Sequence, residues 1–131
     1  MRWEHLTAPE FARAVRQTGV CVVSMGVLEK HSDHLPLGTD VLNGHRIVCL
    51  AAEREPAVVF PPFYFGQISE GRCYPGCLTL KPTLLLDLIE GVCDEIGRNG
   101  FIRHLNIVYS RGNIAGHVRD REFYLVRIIA F

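Results

Sequence analysis

The chain has 131 residues, of which 48% are hydrophobic, and this supports one core and a single domain over residues 1–131. Lysine and arginine together equal aspartate and glutamate, with no basic block, so a surface for nucleic acid or for an anionic membrane is not indicated. No apolar run reaches the length of a membrane span, and five cysteines without a secretory signal predict reduced thiols in the cytoplasm.

The first predicted elements are a capped helix and a buried strand. Thr7 and Glu10 form a capping-box pattern, apolar residues follow at helical spacing, and Gly19 is placed to end the helix. Residues 20–25 form a continuous apolar run, which is typical of a strand covered on both faces in a parallel sheet. The segment that follows should therefore lie beyond the C-terminal end of a buried strand, where open α/β sheets bind ligands.

This next segment concentrates acidic and imidazole side chains: Glu29, His31, Asp33, His34 and Asp40. Glu29 and His31 alternate, so in an extended chain they point to the same side, and a turn at residues 35–38 brings Asp40 back. Carboxylate oxygen and imidazole nitrogen suit zinc, manganese and iron, so the segment predicts a metal site. From residue types alone two alternatives stay open, a polar loop that faces water and, for Asp40, a cap of the next helix.

The remainder of the chain alternates between strands and helices. The predicted elements are a helix from about 41 to 55, a strand at 57–60, an aromatic and glycine-rich loop at 63–76, a strand at 78–80, a helix from 82 to the Asn99-Gly100 pair, a strand at 105–109 and a helix within 119–131. This order predicts a mostly parallel sheet between helical layers. His45 reads as an ordinary helix residue, and Cys73 and Cys77 read as buried thiols because no second pair completes a zinc site.

Several blocks of sequence occur together in a specific order. The chain begins Met1-Arg2-Trp3-Glu4-x-Leu6-Thr7, and the metal-type block reads Glu29-x-His31-x-x-His34-x-Pro36-x-x-Thr39-Asp40. A second block reads Pro61-Pro62-x-x-Phe65-Gly66, then Glu70, then Tyr74-Pro75-Gly76, and Gly100-Phe101 precedes a further apolar run. From Met1 to about Asn113 this order resembles the creatininase (creatinine amidohydrolase) family, specifically the N-terminal half of its chains.

Two positions depart from the family pattern. Gly71 stands after Glu70 where a histidine is usual. The third family block, Asn-Gly-His-Gly-Gly-Asn, corresponds here to Val108-Tyr109-Ser110-Arg111-Gly112-Asn113. By this resemblance Ser110 replaces a metal-binding histidine, and Arg111 adds a positive charge that opposes a cation. His117 lies close enough in sequence to substitute, although ligand geometry is exacting, so this alternative stays open.

The resemblance implies a three-layer α/β/α sandwich with a mostly parallel sheet, truncated relative to the family. It implies two divalent metals per site, zinc or manganese or else iron, with Glu29 on one, His31 on the other and Asp40 bridging them. Glu70 and His34 are the implied catalytic residues. The implied reaction is hydrolysis of a non-peptide, often cyclic, C–N amide bond of a small molecule by a metal-activated water. The family also implies a homo-oligomer, often a hexamer.

A second hypothesis follows from the same departures. Ser110 and the absent second half favour a catalytically inactive or truncated family member that keeps the fold as a binding or interaction module.

Overall fold

Four parallel strands form the centre of the fold. They are β1 (Val20–Met25), β2 (Val58–Val59), β3 (Arg103–Val108) and β4 (Phe123–Arg127). The computed structural model describes residues 1–108 and 123–127. The strand order is β2-β1-β3-β4, and β1 pairs with β3 along its whole length, so the predicted parallel sheet is confirmed.

In the part of the chain that the structure describes, three α-helices accompany these strands: α1 (Ala8–Thr18), α2 (Thr39–Arg54) and α3 (Pro82–Arg98). At the start of α1, the Glu10 carboxylate accepts hydrogen bonds from the Thr7 backbone N–H at 2.9 Å and from its hydroxyl at 2.6 Å. Gly19 ends α1 with a φ of 61°, the left-handed conformation that glycine adopts without a steric cost. Among the described residues, no helix is both long and apolar enough to cross a bilayer.

Alternate residues of β1 face two different helical layers. Cys21, Val23 and Met25 belong to a core cluster that includes buried residues of α1 and α3. Val22 instead packs in a second cluster with Val48 of α2. Because successive strand residues point to opposite faces, the sheet lies between two layers of helix, and the predicted α/β/α architecture is confirmed.

Some predictions about local elements are wrong. Residues 123–127 form a strand and not part of a helix, because their backbone groups pair with β3, a partner distant in sequence. The predicted strand at 78–80 is reduced to a single antiparallel bridge between Leu78 and Leu28. Cys73 is exposed and Cys77 is half-buried, so the prediction of two buried thiols does not hold for Cys73.

The connections of the sheet reverse direction between β1 and β3. The chain leaves β1 through α2 towards β2 at one edge, whereas the chain after β3 leads to β4 on the other side. Segments that leave two neighbouring strands in opposite directions open a cleft at the C-terminal edge of the sheet, where ligands bind in open α/β folds. The acidic and imidazole segment leaves β1 at this edge.

Candidate metal centre

The segment between β1 and α2 folds back on itself through backbone contacts. The Glu29 N–H donates to the Leu37 carbonyl at 3.0 Å, and His31 forms an antiparallel bridge with Leu35. At the tip of this return, Ser32 has a φ of 56°, which is uncommon for a residue other than glycine. The tight return brings the start of α2 beside residues 29 and 31, as the turn at 35–38 predicts.

Glu29, His31 and Asp40 converge at this point. His31 Nε2 lies 2.9 Å from Asp40 Oδ1 and 3.7 Å from Glu29 Oε1. One ligand-type atom from each residue lies within 4.8 Å of the other two. The side chains of Glu29, His31 and Asp40 are 16%, 22% and 10% exposed, so the cluster is largely shielded from water but keeps some contact with it. The structure therefore brings together the three residues that the sequence singles out.

The second ring nitrogen of His31 determines what the first can do. Nδ1 lies 3.0 Å from the Glu29 backbone carbonyl oxygen, which only accepts hydrogen bonds, so Nδ1 carries a hydrogen. In the neutral imidazole the Nε2 lone pair then faces the Asp40 and Glu29 carboxylates. Three electron-pair donors that face one another require a proton or a cation between them. One nitrogen and two carboxylate oxygens fit a borderline divalent ion.

The pKa values of Glu29 and His31 agree with a cluster that holds either protons or a cation. Burial, a hydrogen bond with Asp40 and the Asp40 charge raise the pKa of Glu29 to about 7. Burial by itself lowers the pKa of His31, but the hydrogen bonds to the Glu29 carbonyl and to Asp40 outweigh it, and the pKa is raised. The metal-free cluster thus holds protons near neutral pH, and a divalent cation would compete with those protons.

Asp40 does not cap α2. Gly38 occupies the N-cap position and the helix begins at Thr39, so Asp40 lies inside the first turn. Its carboxylate contacts His31 and is buried, at the positive end of the helix dipole. The alternative in which Asp40 serves as the helix cap is therefore wrong.

Glu70 and His34, the two predicted catalytic residues, do not join this three-residue cluster. Glu70 is exposed in the 3₁₀ turn Ser69–Gly71, close enough for its charge to contribute to the raised pKa of Glu29. His34 is exposed in the turn that follows His31.

Sequence reasoning missed the environment of His45. This residue is buried in α2, with Nδ1 3.2 Å from Ser24 Oγ and Nε2 3.5 Å from Cys49 Sγ. Burial lowers the pKa of His45, which favours the neutral ring that these contacts need. The spacing of four residues between His45 and Cys49 was an available signal, but the contact with Ser24 depends on the packing of α2 against β1.

The third family block, residues 108–113, lies largely outside the residues that the structure describes. Ser110, Arg111, Gly112, Asn113 and His117 all fall outside them. The loss of a histidine ligand at Ser110 therefore stays a prediction, and replacement of that ligand by His117 stays an open alternative. The described part of β3 ends at Val108, opposite Met25 of β1, so this block begins at the same edge of the sheet as the cluster.

Several known proteins resemble this chain. Residues 4–117 match the family described as creatininase, creatinine amidohydrolase. Creatinine amidohydrolase from Pseudomonas putida is 30% identical over 101 residues, which cover 72% of this chain and 39% of that protein. The chain thus spans well under half the length of this relative.

Solved creatininase structures share the fold. A tryptophan-to-phenylalanine mutant creatininase has a TM-score of 0.86 at 23% identity, covering 96% of this chain and 58% of that chain. A glutamate-to-glutamine mutant described as Zn-Zn type has a TM-score of 0.76 at 25% identity, with 96% and 57% covered. Two further neighbours, each with a TM-score of 0.83, are a manganese creatininase and a mutant complexed with creatine.

Proposed function

Since the chain belongs to the creatininase family, we propose that it is a metal-dependent amidohydrolase that cleaves a non-peptide, often cyclic, C–N amide bond. The observation that carries the proposal is the convergence of Glu29, His31 and Asp40, whose ligand atoms lie within 4.8 Å of one another. A creatininase neighbour that holds creatine supports a small-molecule substrate. The chain spans 39% of its curated relative, and in this proposal other residues or subunits supply the remaining ligands.

The three clustered residues have separate roles in this proposal. Glu29 would hold one divalent ion and His31 a second, and the Asp40 carboxylate, with its two oxygens, would be available to both. The Nδ1 hydrogen bond of His31 to the Glu29 carbonyl keeps Nε2 directed at the ion position. Bound divalent ions supply Lewis acidity towards the amide carbonyl and a nucleophile at neutral pH. The manganese and Zn-Zn creatininases support these two metals, and the same donor set suits iron.

Glu70 and His34 act on the substrate side in this proposal. Glu70 is exposed beside the cluster, so it can exchange protons with a substrate and with solvent. His34 is exposed on the same loop as the ligands, so it contacts substrate and does not hold metal.

Metal analysis tests the proposal directly. We expect the purified chain to bind zinc or manganese, and we expect Asp40→Asn to weaken the affinity at least tenfold, on the order of the effect of removing metal-supporting groups. Glu53→Gln, an exposed carboxylate on the same helix, is the matched control and should leave the affinity unchanged. A folded wild-type chain that binds neither metal would refute the proposal.

A specific observation favours the second candidate, an inactive family member that acts as a binding module. Ser110 stands where the family has a histidine ligand, and a neutral hydroxyl is a poor ligand for a borderline ion. We expect Ser110→His to raise the affinity for zinc, measured by competition with a chelator. Hydrolysis of creatinine or a related cyclic amide by the wild-type chain would exclude the inactive alternative, whereas metal binding without hydrolysis would favour it. Unchanged affinity in a folded Ser110→His variant would show that this position does not approach the cluster.

A further inference from the structure

We propose that Tyr74 and Lys30 are positioning residues for the metal centre, because they join two loops and thereby hold Glu29 and His31 in place. The two loops are the ligand loop (residues 28–37) and the aromatic loop (residues 66–80). The inference rests on the proposed metal-dependent function and extends it to residues that touch neither metal nor substrate.

Lys30 stands between Glu29 and His31 in the sequence and has two partners of its own. Its Nζ lies 2.8 Å from Asp33 Oδ1, a contact within the ligand loop. The same Nζ lies 4.9 Å from the centre of the Tyr74 ring, a cation–π contact that crosses to the aromatic loop. The backbone of the residue between the two proposed ligands is thereby tied to a second segment of the chain.

Backbone contacts join the same two loops beside this side-chain pair. The Leu78 N–H donates to the Leu28 carbonyl at 2.9 Å, one residue before Glu29. Gly76 has a φ of 81°, and a Cβ added there would overlap the side chain of Leu37. The turn that carries Tyr74 is therefore fitted closely against both ends of the ligand loop.

The ligand loop needs this external support because the stretch between His31 and Leu37 is exposed and makes few buried contacts. Residues 32–36 are exposed, and the Asp33 side chain is 92% exposed. Exposed loops with few buried contacts open locally at a low cost in free energy. The apparent affinity for a ligand falls in proportion to the fraction of molecules in which its site is assembled. Contacts from the aromatic loop raise the fraction of molecules in which the metal site is assembled, and they therefore raise the apparent affinity for metal.

Amide hydrogen exchange in the metal-free protein gives the first test. We expect Tyr74→Leu to speed exchange at the Glu29 and Leu78 amides by about two- to fivefold, the effect of losing one exposed cation–π contact. Tyr74→Phe keeps the ring face and should exchange like the wild type. Equal rates in wild type, Tyr74→Leu and Tyr74→Phe would overturn the inference, and so would equal acceleration by the two variants.

Zinc affinity, measured by competition with a chelator, gives the second test. Tyr74→Leu should weaken binding by the same factor by which it speeds exchange, and Tyr74→Phe should restore it. Lys30→Gln removes the same cation–π contact and also the contact with Asp33, so it should weaken binding at least as much as Tyr74→Leu, and the double variant should be no weaker than Lys30→Gln alone. A wild-type chain that binds neither zinc nor manganese refutes the proposed function, and the exchange rates then decide the positioning role alone. Zinc affinity unchanged by Tyr74→Leu, in a wild type that does bind, overturns the positioning role and leaves the function standing.

Discussion

Glu29 gives the metal-free chain a stability that falls with rising pH. Burial and Asp40 raise its pKa from 4.5 to about 7, so the folded chain holds this proton more tightly than the unfolded chain does. The resulting stabilisation is complete below the unfolded pKa and is lost as the pH rises through the folded value. His31 acts in the same direction because its pKa is also raised. We expect the melting temperature, measured with a chelator present, to fall between about pH 5 and about pH 8.

The variant Glu29→Gln isolates the residue responsible. Glutamine keeps the size of the side chain but does not titrate, so most of the fall in melting temperature should disappear. Glu53→Gln removes an exposed carboxylate of α2 and should keep the wild-type profile. A Glu29→Gln profile as steep as that of the wild type would show that the proton is held elsewhere in the cluster.

For single residues, sequence patterns predict the proposed metal ligands but not Lys30 and Tyr74, the side chains proposed to hold those ligands in place. Glu29 and His31 alternate within one loop, and a local turn returns Asp40, so their convergence follows from nearby residues. The contact of Lys30 with Tyr74 joins loops that are distant in sequence. No local pattern predicts such a contact, because it depends on how the aromatic loop packs.

At the level of elements, Gly26 sets the distance between β1 and α2. A Cβ added at this glycine would lie 2.8 Å from the Val41 backbone nitrogen and 2.9 Å from Val41 Cγ2. Val41 is 1% exposed and cannot turn aside, so the first turn of α2 would have to move. We expect Gly26→Ala to lower the free energy of unfolding by about 1–3 kcal/mol, measured by urea denaturation. Zinc affinity should fall as well, because Asp40 lies in the displaced turn.

Gly91 offers the matched control for this substitution. It lies inside α3, and a Cβ added there meets no atom within 4 Å. Alanine costs less conformational entropy than glycine in a helix, so Gly91→Ala should stabilise the chain by about 0.5–1 kcal/mol. A Gly26→Ala variant as stable as the wild type would show that α2 shifts without cost.

The predictable elements are those specified by neighbouring residues. The capping pair Thr7 and Glu10 and the terminal Gly19 identify α1 without reference to the rest of the chain. Phe123 and Val126 lie three residues apart, a spacing that also suits a helix, but residues 123–127 form a strand because β3 supplies a long-range partner. Such long-range pairing overrides the local pattern of apolar residues. This explains why the helix predicted within 119–131 is wrong although the strand it pairs with, β3, is correctly predicted.

At the scale of the whole molecule, the two faces of the sheet are covered unequally in the described part of the chain. α1 and α3 pack on one face, whereas α2 alone packs on the other. α2 also leaves large apolar side chains in solvent, with Leu42 54% exposed and both Ile47 and Leu50 43% exposed. Apolar surface grouped on one helix is typical of a face that another chain or segment covers.

We therefore expect this chain to form a homo-oligomer that buries the exposed side of α2. Sedimentation velocity should show a sedimentation coefficient that rises with protein concentration, because association depends on mass action. Ile47→Lys places a charge on the α2 face and should shift the equilibrium towards monomer. Leu84→Lys places the same charge on α3, where Leu84 is 53% exposed, and should leave the association unchanged. A wild-type chain that sediments as one monomeric species at every concentration would contradict the expectation, and equal effects of the two variants would mean that α2 is not the contact.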